Sequence, residues 1–178
     1  FWTVDCHLRF RGWSWLPCRR WRSAWCRVDR VAGMEITVEI ARAADAELTE
    51  AFGRLLPQLS CTARPLDAEA VARVVASDTN TVLVARADGE IVGTLTLTTT
   101  PLPSGLRARI EDVVVDAGLR GRGVAGLLTE EALGIAREAG VRTVDLTSRP
   151  DREAANRLYE RLGFRRRQST VYRYAVEQ

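Results

Sequence analysis

The sequence predicts a single α+β domain, and three observations carry that expectation. Two segments of alternating apolar and polar residues flank an Asp88-Gly89 pair, the signature of a tight hairpin. The run Val113-Val114-Val115 suits a central strand covered on both faces. Apolar residues then recur at helical spacing before another short strand, which makes a strand–helix–strand crossover. At 178 residues the chain has room for one core of ordinary size.

Taken in order, residues 35–41 alternate with Ile36, Val38 and Ile40 on one side, a half-buried strand. Asp45 is placed to cap a helix reaching Ser60 that gathers Leu48, Phe52, Leu55, Leu56 and Leu59, with Pro57 expected to shorten it. Asp67 caps a second helix to Ser77. Residues 81–86 and 91–99 form the hairpin, and Thr94-Leu95-Thr96-Leu97-Thr98 should present one buried and one wet face. Residues 100–107 hold two prolines and a glycine, so they read as a loop placed to touch substrate. After the strand at 108–115, Val124, Leu127, Leu128, Ala132, Ile135 and Ala139 mark a long amphipathic helix ended by Gly140. A short strand at 143–147 follows. Ala155, Leu158, Tyr159 and Leu162 then define a last helix closed by Gly163, and Val171-Tyr172-Arg173-Tyr174 supplies a terminal strand.

Composition divides the chain at Met34, its only methionine. All five tryptophans, the only histidine (His7) and three of the four cysteines (Cys6, Cys18, Cys26) come before it. Residues 1–33 carry a balance of +5 and residues 34–178 one of −2. Three readings of this leader compete: a basic arm for RNA or a membrane, a targeting peptide, or translated sequence upstream of a true start at Met34. The third is favoured, which sets 1–33 as an atypical Arg/Trp/Cys-rich leader and 34–178 as the folded domain. A secretory signal needs an apolar core of roughly 7–15 residues, and the Trp- and Arg-interrupted stretch at 10–25 lacks one. All 26 basic residues are arginine, the bias of a GC-rich genome, and noncoding GC-rich DNA read in frame yields the same mixture.

The remaining composition excludes other classes. Hydrophobic residues at 46% and charged ones at 28% suit a soluble globular chain, and no apolar run approaches the ~20 residues of a membrane-spanning helix. The leader cysteines have no C-x-x-C pairing, so no metal is expected, and Cys61 reads as a small core residue with no nearby histidine to activate it.

The segment from Val113 to Gly126, Val-Val-Val-Asp-Ala-Gly-Leu-Arg-Gly-Arg-Gly-Val-Ala-Gly, leads from a strand through a Gly-rich turn into a helix. Glycines at 121 and 123 let backbone approach a bulky anion, and the helix N-terminus attracts phosphate oxygens. The P-loop lysine is missing. The literal G-x-G-x-x-G at Gly121, Gly123 and Gly126 follows hairpins rather than the parallel unit a dinucleotide site requires.

This segment resembles the coenzyme motif of the GNAT acetyltransferase superfamily, in which Arg or Gln is followed by two residues, Gly, one residue, and Gly or Ala. Arg120-Gly121-Arg122-Gly123-Val124-Ala125 matches it between strand and helix. Independently, Arg152-Glu-Ala-Ala-Asn156-Arg-Leu-Tyr159-Glu-Arg-Leu-Gly163-Phe164 resembles the family's late helix with its Leu-Tyr-Glu and Gly-Phe ending. The resemblance spans residues 35–174. It implies the GNAT acyl-CoA N-acyltransferase fold, a central mixed and mostly antiparallel sheet flanked by helices, with acetyl-CoA as acetyl donor, no metal, and an unidentified amine as acceptor.

Roles follow from the resemblance, residue by residue. The strand at 110–115 should splay from that at 143–147, freeing backbone groups of Val113 and Val115 for the pantetheine arm and an N–H near Val114 to polarise the acetyl carbonyl. The turn of Arg120, Gly121, Arg122, Gly123, Val124, Ala125 and Gly126 takes the pyrophosphate. Tyr159 is placed to protonate the departing thiolate, or else is a core aromatic between Ala155 and Leu162. Asn156, one turn earlier, should contact the coenzyme arm. Glu111 is the candidate base, expected to share a face with Val113 and Val115 while Asp112 points the other way. A strand glutamate also pairs readily with Arg107 or Arg109, and many family members relay the proton through water. The string Ile110-Glu-Asp-Val-Val-Val115 is also similar to glucosamine-6-phosphate acetyltransferases, which offers one acceptor to test.

The expected function is therefore acetyl transfer to a primary amine of a small molecule or peptide N-terminus by direct attack, in the cytoplasm, with no nucleic acid or membrane partner. A non-catalytic acyl-CoA-binding regulatory module is the alternative, and an RNA-binding leader a third reading. Oligomeric state stays open, a homodimer paired through terminal strands being one form the family takes.

Overall fold

A computed structural model of the chain describes residues 26–31, 33–60 and 65–176. The expectations resting on His7, Cys6, Cys18 and Cys61 lie outside those residues. Six strands form one sheet in sequential order: β1 (Cys26–Val31), β2 (Met34–Ile40), β3 (Asn80–Ala87), β4 (Glu90–Leu102), β5 (Gly105–Val115) and β6 (Thr143–Leu146). Every neighbouring pair is antiparallel except β5 and β6, which the crossover helix makes parallel. The first strand falls in the leader: Cys26–Val31 pairs with β2 across the boundary expected at Met34.

Helices α1 (Ala46–Leu59) and α2 (Ala68–Ala76) cover one face of the sheet, and α3 (Val124–Glu138) covers the other. Both short helices start where their acids predict. The Asp45 carboxylate accepts from Leu48 N–H at 2.8 Å and that of Asp67 from Ala70 N–H at 2.7 Å. Pro57 does not shorten α1, which continues to Leu59. The carbonyl it leaves without a helical donor is that of Gly53, which is exposed, so no buried acceptor is orphaned. Around α3, Val124, Leu128, Ala132 and Ala136 meet Ile36, Val38, Leu83, Leu95, Leu97 and Ile110. Around α1 and α2, Leu48, Phe52, Leu55 and Val71 meet Val82, Val84, Ile91 and Val114. Leu95 and Leu97 are buried as the alternation requires, and Thr94 is buried too because it faces Val114.

Two other expectations are corrected. Residues 100–107 are not a loop: β4 and β5 pair without interruption through Pro101↔Leu106 and Leu102↔Gly105. Thr99 N–H bonds the Thr79 carbonyl at 2.7 Å, on the side of β4 that faces β3. Alternation puts the nitrogen of Pro101 on that same side, beyond the end of β3, where there is no ladder bond to lose, and Pro103 falls in the two-residue turn between the strands. At the other end, Val171-Tyr172-Arg173-Tyr174 pairs with no strand among the described residues, and Tyr172 and Tyr174 are each 90% exposed. Alternating side chains specify a strand only where a neighbouring edge lies within reach. The last helix, α4 (Glu153–Arg161), packs lightly, with no fully buried residue. Its end is fixed by Gly163 at φ 93° and by the Phe164 N–H to Tyr159 carbonyl bond of 3.0 Å, a Schellman closure.

Candidate active site

β5 and β6 pair from Arg107↔Thr143 to Ile110↔Leu146 and no further. Beyond that point residues 111–115 keep β4 on one side and lose their neighbour on the other. A cavity of about 1000 Å³ opens there, walled by β5, by the residues following β6, by α4 and by the turn into α3, with the last turn of α1 across its mouth. It takes in Glu111, Asp112, Val113, Val114, Val115, Arg120, Gly121, Gly123, Val124, Ala125, Gly126 and Tyr159 of the predicted residues and their neighbours. Arg122 is exposed and does not line it. Asn156 does not line it either: its amide donates to the carbonyls of Arg149 at 3.0 Å and Pro150 at 3.4 Å, bracing the turn before α4.

The turn at 116–126 is built for close approach. Gly121 and Gly123 adopt φ 75° and 78°, left-handed conformations that glycine takes at little cost. Gly123 is the N-cap of α3 and offers no side-chain acceptor, so the first-turn N–H groups of Val124, Ala125 and Gly126 stay available beside the cavity. A Cβ on Gly126 would stand 3.5 Å from Leu158, ordinary contact distance where α4 meets α3.

A β-bulge re-aims the middle of β5. Its register passes from Thr94↔Val114 to Thr96↔Glu111, so Leu95 faces two residues, Asp112 and Val113. Asp112 sits at φ 51°, uncommon for a residue with a side chain. The bulge overturns the expected alternation. Ile110, Val113 and Val115 pack on the α3 side, whereas Glu111 shares the opposite face with Val114. Backbone groups follow the new phase. Asp116 N–H bonds the Val92 carbonyl at 2.8 Å, which turns Val114 N–H toward β4 as well and leaves those of Val113 and Val115 at the open edge. The Val115 carbonyl accepts from Arg120 Nε at 3.2 Å.

Charge is distributed unevenly over the acidic pair. Glu111 is held by Arg109 Nε at 2.8 Å, both side chains partly exposed. Asp112 has no hydrogen bond or ion pair among the described residues. Asp112 is exposed at the cavity wall; desolvation by the surrounding protein first, and the Glu111 charge second, raise its carboxyl above the usual range. Burial also raises the Tyr159 hydroxyl, against a smaller lowering by Arg152. The Tyr159 ring stands edge-on to Phe164, centroids 5.8 Å apart.

Sequence reasoning missed two side chains here. Asp112 was expected to face away, yet it lines the cavity. Gln58 carries no motif, whereas Arg152 opens the late-helix string. Gln58 accepts from Ala117 N–H at 2.9 Å, and Arg152 donates to the Leu59 carbonyl at 2.9 Å, joining α4 to the end of α1.

Residues 43–164 match the family model described as Acetyltransferase (GNAT) family. A structure of a transcriptional regulator from Bacillus halodurans C-125 is 29% identical, covering 78% of this chain and 99% of that one with a TM-score of 0.65. A Trypanosoma brucei acetyltransferase is 25% identical over 79% and 99%, also at 0.65. An aminoglycoside N-acetyltransferase solved with CoA is 18% identical over 80% and 96%, again at 0.65, a likeness of fold alone. No curated protein matches the chain. No helix among the described residues is long and apolar enough to cross a membrane.

Proposed function

The chain belongs to the GNAT acetyltransferase family, and from that premise we propose that it moves the acetyl group of acetyl-CoA to a primary amine of a small molecule or peptide N-terminus, by direct attack inside the cavity between β5 and β6. The observation that carries this reading is the parting of the two strands after Ile110 and Leu146, with an anion cradle at one end and two adjacent carboxylates beside it. Acetyl-CoA brings the activated thioester, and the residues of this chain do the rest.

The N–H groups at 124–126, with Arg120, hold the pyrophosphate. Those of Val113 and Val115 at the open edge take the amides of the coenzyme arm and polarise the acetyl carbonyl. An amine nitrogen attacks the carbonyl carbon, the C–S bond breaks, and the sulfur leaves as thiolate. Tyr159 supplies the proton the thiolate takes up: a hydroxyl whose pKa burial has raised stays protonated at neutral pH and so remains an acid. The ammonium proton goes to the acidic pair. Glu111 is the group the motif nominates, but its carboxylate is engaged by Arg109. Asp112, without a partner and with its affinity for a proton raised, is the better base of the two. A cytoplasmic location belongs to this reading.

The 29% identity to a structure named a transcriptional regulator favours the second reading, a coenzyme-binding regulatory module without turnover. One experiment separates them: titrate acetyl-CoA into the full chain by calorimetry, then follow release of free CoA across amino sugars, aminoglycosides, amino acids and peptide N-termini. Micromolar binding with amine-dependent release is expected. Binding with no release from any acceptor selects the regulatory module, and absence of binding removes both.

A further inference from the structure

Resting on the coenzyme assignment above, we propose that Gln58, in the last turn of α1, is a positioning residue for the coenzyme turn and couples that turn to α1. The turn at 116–120 is not self-supporting. Its internal bonds are few: Asp116 Oδ1 accepts from Gly118 N–H at 3.0 Å, the Asp116 carbonyl from Leu119 N–H at 2.9 Å and the Ala117 carbonyl from Arg120 N–H at 3.4 Å. Its two ends are tied to the sheet by Asp116 N–H to the Val92 carbonyl and Arg120 Nε to the Val115 carbonyl, and its middle is held from α1. The Gln58 Oε1 accepts Ala117 N–H at 2.9 Å and meets Arg120 Nη2 at 3.4 Å, and its Nε2 donates to Asp116 Oδ2 at 3.4 Å and to the Arg54 carbonyl at 3.2 Å. Arg54, one turn earlier, donates to Asp116 Oδ2 at 3.2 Å and to the Ile91 carbonyl at 2.8 Å. One amide thus serves both ends of the turn, and no other side chain among the described residues does.

The chemistry suits a neutral amide and little else. Asp116 and Arg120 present opposite charges about one short turn apart, so the group between them must donate to one and accept from the other, which glutamine does without adding charge. Asp116 is held below the ordinary carboxylate range, by the Gly118 N–H foremost and by Gln58 and Arg54 after it, so it keeps its charge at neutral pH. With Ala117 pinned by Gln58, the chain enters Gly121 and Gly123 from a fixed point. The N–H groups at the start of α3 then hold their aim, and the ordering of a phosphate site is settled before the ligand arrives. Gln58, Leu59 and Ser60 also line the cavity, so the same helix turn that sets the coenzyme turn borders the space for the acceptor.

The test compares CoA affinity, by calorimetry on the full chain, for the natural protein, Gln58→Met and Gln58→Glu, with thermal melts alongside. Methionine keeps the length and loses every hydrogen bond; it should weaken CoA about tenfold and raise KM for acetyl-CoA more than KM for the amine, with a melting point close to the natural one. Glutamate keeps the acceptor for Ala117 N–H and Arg120 but opposes Asp116, and should fall between. Equal CoA affinity for natural protein and Gln58→Met overturns the proposal while leaving the acetyltransferase reading intact. Natural protein that does not bind CoA fails that reading instead. If Gln58→Met does not fold, hydrogen exchange at Ala117 N–H in the natural protein decides: slow exchange without ligand supports the clamp, and free exchange overturns it.

Discussion

Two of the helices that border the cavity, α3 and α4, are held in opposite ways. α3 buries eight of its fifteen residues against the sheet, among them Val124, Leu127, Leu128, Ala132 and Ala136. α4 buries none fully and is fastened by a few directed contacts: Leu158 against Gly126, Arg152 to the Leu59 carbonyl, and the Tyr159–Phe164 edge contact. Apolar burial stabilises in proportion to area and tolerates little movement, whereas single hydrogen bonds contribute on the order of 1 kcal/mol each. The anion cradle therefore stands on the rigid wall and the candidate acid, Tyr159, on the adjustable one.

The sharpest way to break this comparison is to cut the same side chain from each wall. Leu128→Ala, at a position with no exposure, should cost about 2–5 kcal/mol in a denaturant titration. Leu158→Ala, at a half-buried position, should cost about 1 kcal/mol. Equal losses would mean that α4 is as firmly seated as α3.

A second prediction separates chemistry from support on the adjustable wall. Tyr159→Phe keeps the ring contact with Phe164 and removes only the hydroxyl. It should lower kcat about 100-fold while the coenzyme Kd and the melting point hold; an unchanged kcat removes Tyr159 from the reaction.

The strand between the walls gives a third. Folding raises the Asp112 pKa, so what Asp112 contributes to stability is full below the unfolded carboxylate range and is lost as pH rises through the higher folded value. Asp112→Asn should therefore be the more stable protein at neutral pH, with the advantage fading in acid, and yet lose about tenfold or more in turnover. Glu111→Gln, which frees Arg109, should lose less; the reverse ranking in a steady-state assay would return the base to Glu111. The smallest effect is expected at an exposed i,i+4 pair on α4. Arg157→Ala removes a 3.3 Å contact to Glu153 and should change stability by less than about 0.5 kcal/mol.

How much of this was legible follows the same division. The α3 wall announces itself, because apolar residues at helical spacing and glycines at 121 and 123 encode both the helix and the turn that feeds it. So does the closing Gly163, which the sequence placed at the end of α4. The bulge at Asp112 left no mark in the sequence, since it is fixed by how β5 lies along β4, and with it went the correct face of Glu111. The prolines at 101 and 103 signalled a loop because their cost depends on whether a neighbour needs the missing N–H, and β3 has ended there. Gln58 was invisible for a related reason: its partners lie 58 to 62 residues further along the chain. The exposed Val171–Tyr174 stretch shows the converse, a strand pattern that joins no edge among the described residues.

The bulge also makes β5 a counted object. Its two ends obey different parities, with Ala108 and Ile110 on the α3 side before Asp112 and Val113 and Val115 on that side after it. Deleting Asp112 alone would flatten the bulge and restore one parity along the whole strand with Ile110, Val113 and Val115 still in their layer, whereas deleting Glu111 or Val113 would leave the bulge pattern one residue short and misplace its neighbours. Adding or removing a pair of residues at the Pro103–Ser104 tip would disturb neither layer. Length variation in this strand is thus tolerable at its tip in even steps and by loss of the bulge residue itself, whereas a single-residue change elsewhere in residues 106–115 shifts one end of the strand to the wrong layer.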